Sequence, residues 1–159
     1  MELQRYQSGE AAALAELFYQ TVHAVCTEDY TPAQLDAWAD GQVNIAAWEK
    51  SFLAHDTLVA RMDGEIVGFA DLDVGYLDRL YVHKEHQRQG VATALAQALE
   101  GQAAAQGQVR MTTHASITAR PFFEKRGYRV IKEQQVERKG VLLTNFVMEK
   151  TLDKDALSG

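Results

Sequence analysis

Leu80–Leu99, LYVHKEHQRQGVATALAQAL, is the stretch from which the rest of the chain can be read. Three apolar residues suited to the end of a strand, Leu80-Tyr81-Val82, run into a polar, partly basic loop. The loop closes on Gln87-Arg88-Gln89-Gly90-Val91-Ala92, and Val91, Leu95, Ala98 and Leu99 open a helical apolar pattern at once. A strand, a tight loop and a fresh helix N-terminus bring unpaired backbone N–H groups and the positive end of the helix dipole together. That combination favours an anion, phosphate above all. A glycine-bearing loop before a helix is a weak signal by itself. The chain has no Gly-Lys-Ser/Thr for a P-loop and no dinucleotide glycine fingerprint.

The chain around this stretch has 159 residues, 47% of them hydrophobic and 24% charged, with a formal net charge of −6. This length suits one domain with its own core, expected over residues 1–150, with 151–159 as a short polar tail. The acidic balance argues against a nucleic-acid partner. Cys26 is the single cysteine, so no intrachain disulfide can form, in keeping with a reducing compartment. The first residues, Met1-Glu2-Leu3-Gln4-Arg5, lack the basic and apolar regions of a signal peptide. No apolar run nears the ~20 residues of a membrane span. The expectation is a cytoplasmic protein with no membrane partner, either a monomer or a homodimer paired through its closing hairpin.

Taken in order, Glu2–Gln7 reads as a strand and Ser8-Gly9-Glu10 as the start of a helix. Leu14, Leu17, Phe18, Thr21, Val22 and Val25 form the apolar face of that helix, with Cys26 at its end as core packing. Thr31-Pro32 is an N-cap with proline at the first helical position, opening a short helix through Trp38, and residues 44–53 form another. Strands follow at 57–62, 65–73 and 76–82, the first two joined by the Asp63-Gly64 turn. Strict alternation places Tyr76, Asp78, Leu80 and Val82 on one strand face. A helix to about Ala105, a strand at 109–114, a helix carrying Phe122-Phe123 and a hairpin over 129–150 complete the chain. The order describes a single α/β (α+β) domain around a mostly antiparallel sheet.

Gln87-Arg88-Gln89-Gly90-Val91-Ala92 and the downstream Ala119–Tyr128, ARPFFEKRGY, together resemble the GNAT N-acetyltransferase superfamily. The first matches its Arg/Gln-x-x-Gly-x-Gly/Ala pyrophosphate loop, the second its A-x-x-(F/L)-Y-E-K-x-G-F helix. The segments Tyr30–Trp38, Ala115–Ala119 and Thr144-Asn145-Phe146 further resemble the YafP-type bacterial branch. The resemblance implies a sheet of six to seven strands flanked by four to five helices and splayed at its centre to hold CoA. It also implies acetyl-CoA as co-substrate, with no metal, and acetyl transfer to an amine. By position, the amides of Gln87, Arg88, Gln89, Gly90, Val91, Ala92 and Thr93 would cradle the pyrophosphate. Leu80, Tyr81 and Val82 would pair with the pantetheine arm and polarise the thioester carbonyl. Ser116 stands where the family usually has an asparagine touching that arm. Phe123 stands in place of a frequent general-acid tyrosine. Two basic islands suit a polyanionic cofactor: Lys84 with Arg88, and Arg120, Lys125, Arg126 and Arg129 against Glu124 alone, Arg126 being read as a cofactor contact.

Acetyl transfer needs a neutral amine, and deprotonating a lysine-like amine at pH 7 costs about 4–5 kcal/mol. A carboxylate near the thioester would remove that proton. Asp78 is the favoured base, because Tyr76 occupies the place where several family members put a glutamate. His114 is a weaker alternative. The loss of the acid at Phe123 is tolerable, since a thiol of pKa near 8.5 leaves readily and protonating it is worth only about 1–2 kcal/mol at neutral pH. Water or Tyr76 can donate instead. Tyr30, Trp38 and Trp48, with His114, are candidates to line an acceptor pocket for a small, partly aromatic amine. Cys26 is read as remote from the loop, so direct attack in a ternary complex is favoured over a covalent acetyl-enzyme. A protein or peptide amine and a non-catalytic acyl-CoA-binding module stand as alternatives. His83 and His86 lack the carboxylate or cysteine partners that a metal site needs.

Overall fold

The computed structural model describes residues 1–152. Its elements are β1 (Glu2–Arg5), α1 (Ala11–Val25), α2 (Pro32–Trp38), α3 (Ile45–Ala54), β2 (Asp56–Met62), β3 (Glu65–Asp73), β4 (Tyr76–Val82), α4 (Val91–Ala105), β5 (Arg110–Ser116), α5 (Arg120–Lys125), β6 (Arg129–Arg138) and β7 (Val141–Thr151). The α2 start is fixed as its sequence suggests. Thr31 Oγ1 accepts from the Gln34 amide and the Gln34 side chain accepts from the Thr31 amide, a reciprocal capping box with Pro32 behind it. Asn44 caps α3 with a single bond, its Oδ1 accepting from the Ala47 amide.

All seven strands join one sheet in the order β1-β2-β3-β4-β5-β7-β6. Every neighbouring pair is antiparallel except β4 and β5, which run parallel for only two residue pairs, Tyr76 with Thr112 and Leu77 with Thr113. Beyond Leu77 the two strands part, so the C-terminal half of β4 has an open edge in mid-sheet. This is the expected mixed α/β fold, splayed at its centre.

The two faces of the sheet carry separate cores. On one, α4 buries Val91, Leu95 and Leu99 against Val67, Leu72, Leu77, Met111 and Met148. Full burial of such a side chain is worth about 1.5–3 kcal/mol. The close seat of α4 depends on Gly68, because a Cβ there would stand 2.9 Å from Val91 Cγ1 and 3.1 Å from the Tyr81 carbonyl oxygen. On the other face α1 and α3 pack Leu14, Phe18, Val22 and Phe52 against Val59 and Phe69.

Strict alternation fails in β4. Asp71 pairs with Arg79 and the next β3 residue, Leu72, with Leu77, so Asp78 is an extra residue, a β-bulge that reverses the phase of the strand. Leu77, Leu80 and Val82 therefore join the α4 core, whereas Arg79 and Tyr81 turn to the α1–α3 side. The expectation that Tyr76, Asp78, Leu80 and Val82 share one face is corrected: Tyr76 lies with Arg79 and Tyr81, opposite Leu80 and Val82. Two residues of the expected tail belong to the fold. Thr151 still belongs to β7, and Leu152 is buried, its amide donating to Val109 O at 2.9 Å. The remainder of the expected tail, 153–159, lies outside the described residues.

Candidate active site

The open edge of β4 and the N-terminus of α4 bound a slot of about 300 Å³. Peptide groups alternate direction along a strand. The His83 amide turns back to Val67 O at 2.8 Å, so the peptide groups of Leu80 and Val82 face the gap. Val82 O is met there by Thr21 Oγ1 at 3.0 Å and Gln87 Nε2 at 2.7 Å. The Gln87 side chain thereby ties the loop to its strand, and it leaves the peptide groups of Leu80 free of any partner strand.

At the end of the slot the loop turns on two residues with left-handed backbone, Arg88 (φ 62°) and Gly90 (φ 84°). Gly90 is the N-cap of α4 and provides no side-chain cap, so the first amides of the helix point outward unpaired. Nothing crowds the position a Gly90 Cβ would take. Glycine is needed here for its backbone angle and for the approach of whatever anion those amides receive. Arg88 has no carboxylate within 4.0 Å among the described residues and adds its charge to the slot. The amide set and this cation fit a diphosphate.

A second cavity, about 420 Å³, opens on the other side of β4. Tyr30, Trp38, Trp48 and Phe18 provide aromatic wall, and Tyr76, Asp78, Arg79, His114, Arg138 and Asn145 provide polar groups. Trp38, Tyr81 and Ser116 line both cavities and also the small gap between β4 and β5 that joins them. Asp78 lies in the gap and in the second cavity, so the bulge sets its carboxylate where the two spaces meet. The Tyr76 ring meets His114 edge-on at 5.3 Å, and burial raises the Tyr76 hydroxyl pKa, helped by the negative charge of Asp78.

Behind this wall lies a buried charge network. Asp71, fully buried, accepts from Arg79 Nη2 at 2.9 Å and from His55 Nδ1 at 2.8 Å. Arg79 also donates to Ser51 Oγ at 2.5 Å and to Asp78 at 3.3 Å, and its guanidinium covers the rings of Phe52 (4.5 Å) and Trp48 (5.0 Å). Burial raises the Asp71 pKa, and the charges of Arg79 and His55 oppose that rise. His55, Asp71 and Asp78 bring metal-ligand atoms within 4.8 Å of one another, but Arg79 already pairs with both carboxylates. The donor set is that of an ion-pair network.

The chain that builds this slot and cavity is similar to known proteins in sequence and in fold. Residues 26–152 match the family model described as an acetyltransferase (GNAT) domain. The chain belongs to the GNAT acetyltransferase family. It is 34% identical over 148 residues to the uncharacterized N-acetyltransferase YafP of Escherichia coli (strain K12), covering 93% of this chain and 94% of that one. The crystal structure of a GCN5-related N-acetyltransferase (aminotransferase, class-II) from Rhodopseudomonas palustris superposes with a TM-score of 0.92 at 35% identity over 95% of each chain. The fold is shared more distantly, at TM-score 0.70 and 21% identity, with YncA from Salmonella typhimurium, solved with its cofactor acetyl-CoA, over 96% of this chain and 94% of that one. The protein is thus a GNAT-family transferase.

Within this GNAT domain, Leu80, Tyr81, Val82, Gln87, Arg88, Gly90, Val91, Ala92, Thr93, Ser116 and Phe123 all line the slot. Gln89 does not; its side chain meets His86 Nδ1 at 3.2 Å. Ser116 Oγ accepts from the Ala119 amide at 3.0 Å and so helps shape the turn into α5. Phe123 is buried between Phe122 and Tyr128. Tyr30, Trp38, Trp48 and His114 do meet in one cavity with Tyr76 and Asp78. Tyr30 is also a strap of the fold, its hydroxyl donating to Thr144 O at 2.7 Å and accepting from the Ile117 amide at 2.9 Å.

Three expectations are corrected. Arg126 is drawn away from the slot by buried Glu100, which it meets at 2.5 Å together with Tyr128 (2.8 Å) and Lys150 (3.1 Å). The second basic island is mostly neutralised, Arg120 by Glu124 and Arg129 by Glu149, leaving Lys125 without a carboxylate within 4.0 Å among the described residues. Cys26 is not remote from the loop, for it lines the same slot as Gly90. Burial pushes the Cys26 thiol pKa up, which suits a wall and not a nucleophile. Arg79, Arg138 and Asn145 were not singled out as site residues. The Asp71–Arg79 pair follows only once the bulge is known, because an unbulged hairpin would set Asp71 against Asp78.

Proposed function

We propose that this GNAT enzyme transfers the acetyl group of acetyl-CoA to the primary amine of a small molecule, by direct attack within a ternary complex. The observation that carries the reading is the continuity of the slot with an aromatic-walled cavity through the β4–β5 gap, with Asp78 at the crossing. Acetyl-CoA supplies the thioester. The amides from Gln87 to Thr93 hold its diphosphate, and Arg88 adds charge. The peptide groups of Leu80 and the Val82 amide take the pantetheine arm as an added strand would and orient the thioester carbonyl. Asp78 accepts the ammonium proton, directly or through water, at the carboxylate edge that faces the gap. With phenylalanine at 123, the departing thiolate takes its proton from water or from the Tyr76 hydroxyl. A cavity walled by Trp38, Trp48 and Tyr30 suits a compact, partly aromatic acceptor better than a protein surface. The enzyme acts as one domain in the cytoplasm, the compartment expected from its lone cysteine.

The absence of an acid at Phe123 favours one second reading, an acyl-CoA-binding module. Release of free CoA from acetyl-CoA, followed over a panel of small amines and amine-bearing peptides, separates the readings. Amine-dependent release with small molecules ahead of peptides is expected. Tight acetyl-CoA binding with no release on any amine contradicts transfer.

A further inference from the structure

Arg138 ends β6 at the tip of the closing hairpin and lines the acceptor cavity. Its guanidinium donates to the carbonyl of its neighbour Glu137 at 3.3 Å, and no carboxylate stands within 4.0 Å of it among the described residues. The cations around it are paired: Lys139 with Asp40, and Arg79 with Asp71 and Asp78. Asp78 is the one carboxylate lining the cavity among the described residues. Asp71 neutralises Arg79 from behind, so the cavity presents one charge of each sign, the Asp78 carboxylate at the crossing and the Arg138 guanidinium. An acceptor that brings only an ammonium group leaves Arg138 unanswered.

A second observation lies at the other end of the cavity. Asn145 Oδ1 is buried with no hydrogen-bond partner among the described residues, and Asn145 lines the cavity opposite Ser116 in the β5–β7 register. A buried acceptor left unpaired costs about 1–3 kcal/mol, which an incoming N–H donor relieves. In the β6–β7 register Arg138 pairs with Val141, four residues before Asn145 on β7, or ~13 Å of strand. The cavity thus has an N–H-seeking pole at Asn145, an anion-seeking pole at Arg138 and indole rings in its wall.

We propose that the acceptor is an amine that also bears a carboxylate, with its N–H on Asn145 Oδ1 beside Asp78, its carboxylate on Arg138 and an apolar body against Trp38 and Trp48. The assignment rests on the small-amine reading above and narrows it. Bound in this way, the carboxylate meets the Arg138 guanidinium in a charge-assisted pair.

The test uses a matched set, 4-(aminomethyl)benzoate, 4-(aminomethyl)benzamide and benzylamine, with wild type, Arg138→Gln and Arg138→Lys. CoA release measures turnover, and calorimetry on the CoA-loaded protein measures binding. In wild type the benzoate is expected to exceed the benzamide and benzylamine at least tenfold in kcat/KM. Arg138→Gln should erase that preference through KM, and Arg138→Lys should restore part of it. Equal use of the three amines, or a preference that survives Arg138→Gln, overturns the proposal. If no amine releases CoA, transfer itself fails and binding still decides the acceptor chemistry. Benzoate affinity lowered at least tenfold by Arg138→Gln supports the carboxylate pole; absent or Arg138-independent benzoate binding overturns it.

Discussion

The two halves of the site are built from different materials. The slot half is made of backbone: the exposed edge of β4, a left-handed turn at Arg88 and Gly90, and the uncapped amides of α4, all within Leu80–Thr93. The acceptor half is made of side chains brought from α1, α2, α3, β4, β5, β6 and β7, aligned by one bulge and held by one buried charge network. On the proposed reading the backbone half takes the CoA moiety and the side-chain half takes the acceptor.

The sharpest way to break this contrast is to attack the network behind the acceptor wall. Asp71→Ala leaves Arg79 buried without its principal partner and is expected to cost about 3–5 kcal/mol of stability. Chemical denaturation measures this, and a loss below 1 kcal/mol would mean that the network does not hold the wall. Gly90→Val attacks the other half. A β-branched residue at φ 84° costs roughly 1–2 kcal/mol in backbone strain and also obstructs the approach to the amides, so acetyl-CoA affinity should fall about ten- to hundredfold by calorimetry. Unchanged affinity would remove the loop from the binding site. Asp78→Asn should lower turnover about tenfold at pH 7 and progressively less as pH rises. Without a base the enzyme depends on amine that is already neutral, and that fraction grows tenfold per pH unit below an amine pKa near 10.4. A pH–rate profile parallel to wild type would exclude Asp78. Phe123→Tyr should change kcat by no more than a fewfold, because the thiolate needs little help to leave. A gain of several orders of magnitude would identify the missing acid as the bottleneck.

This contrast also explains what could be read in the sequence. Leu80–Leu99 announced an anion-binding strand–loop–helix because its parts are adjacent in the chain and obey local rules of capping and periodicity. The same rules placed α2, α3 and the Asp63-Gly64 hairpin. Alternation along β4 failed at Asp78 because a bulge is a property of strand pairing and leaves no mark on the strand's own composition. Arg126 looked like a cofactor ligand because the partner that claims it, Glu100, lies on α4, far away in sequence. Cys26 looked remote because the end of α1 reaches the slot only through tertiary packing. Tyr30, Trp38 and Trp48 stand out as an aromatic segment and His114 as the end of a strand across the cleft, and the fold brings all four into one cavity.

The central claim is that one continuous site holds acetyl-CoA on the backbone of Leu80–Thr93 and presents its acyl group to the Asp78 cavity. A crystal structure of the protein with CoA tests it most directly. The account predicts the diphosphate on the amides between Gln87 and Thr93, with the pantetheine arm along Leu80–Val82 and its thiol at the gap beside Trp38, Tyr81 and Ser116. CoA bound with its diphosphate away from the start of α4, or with its thiol pointing away from the gap, would contradict it.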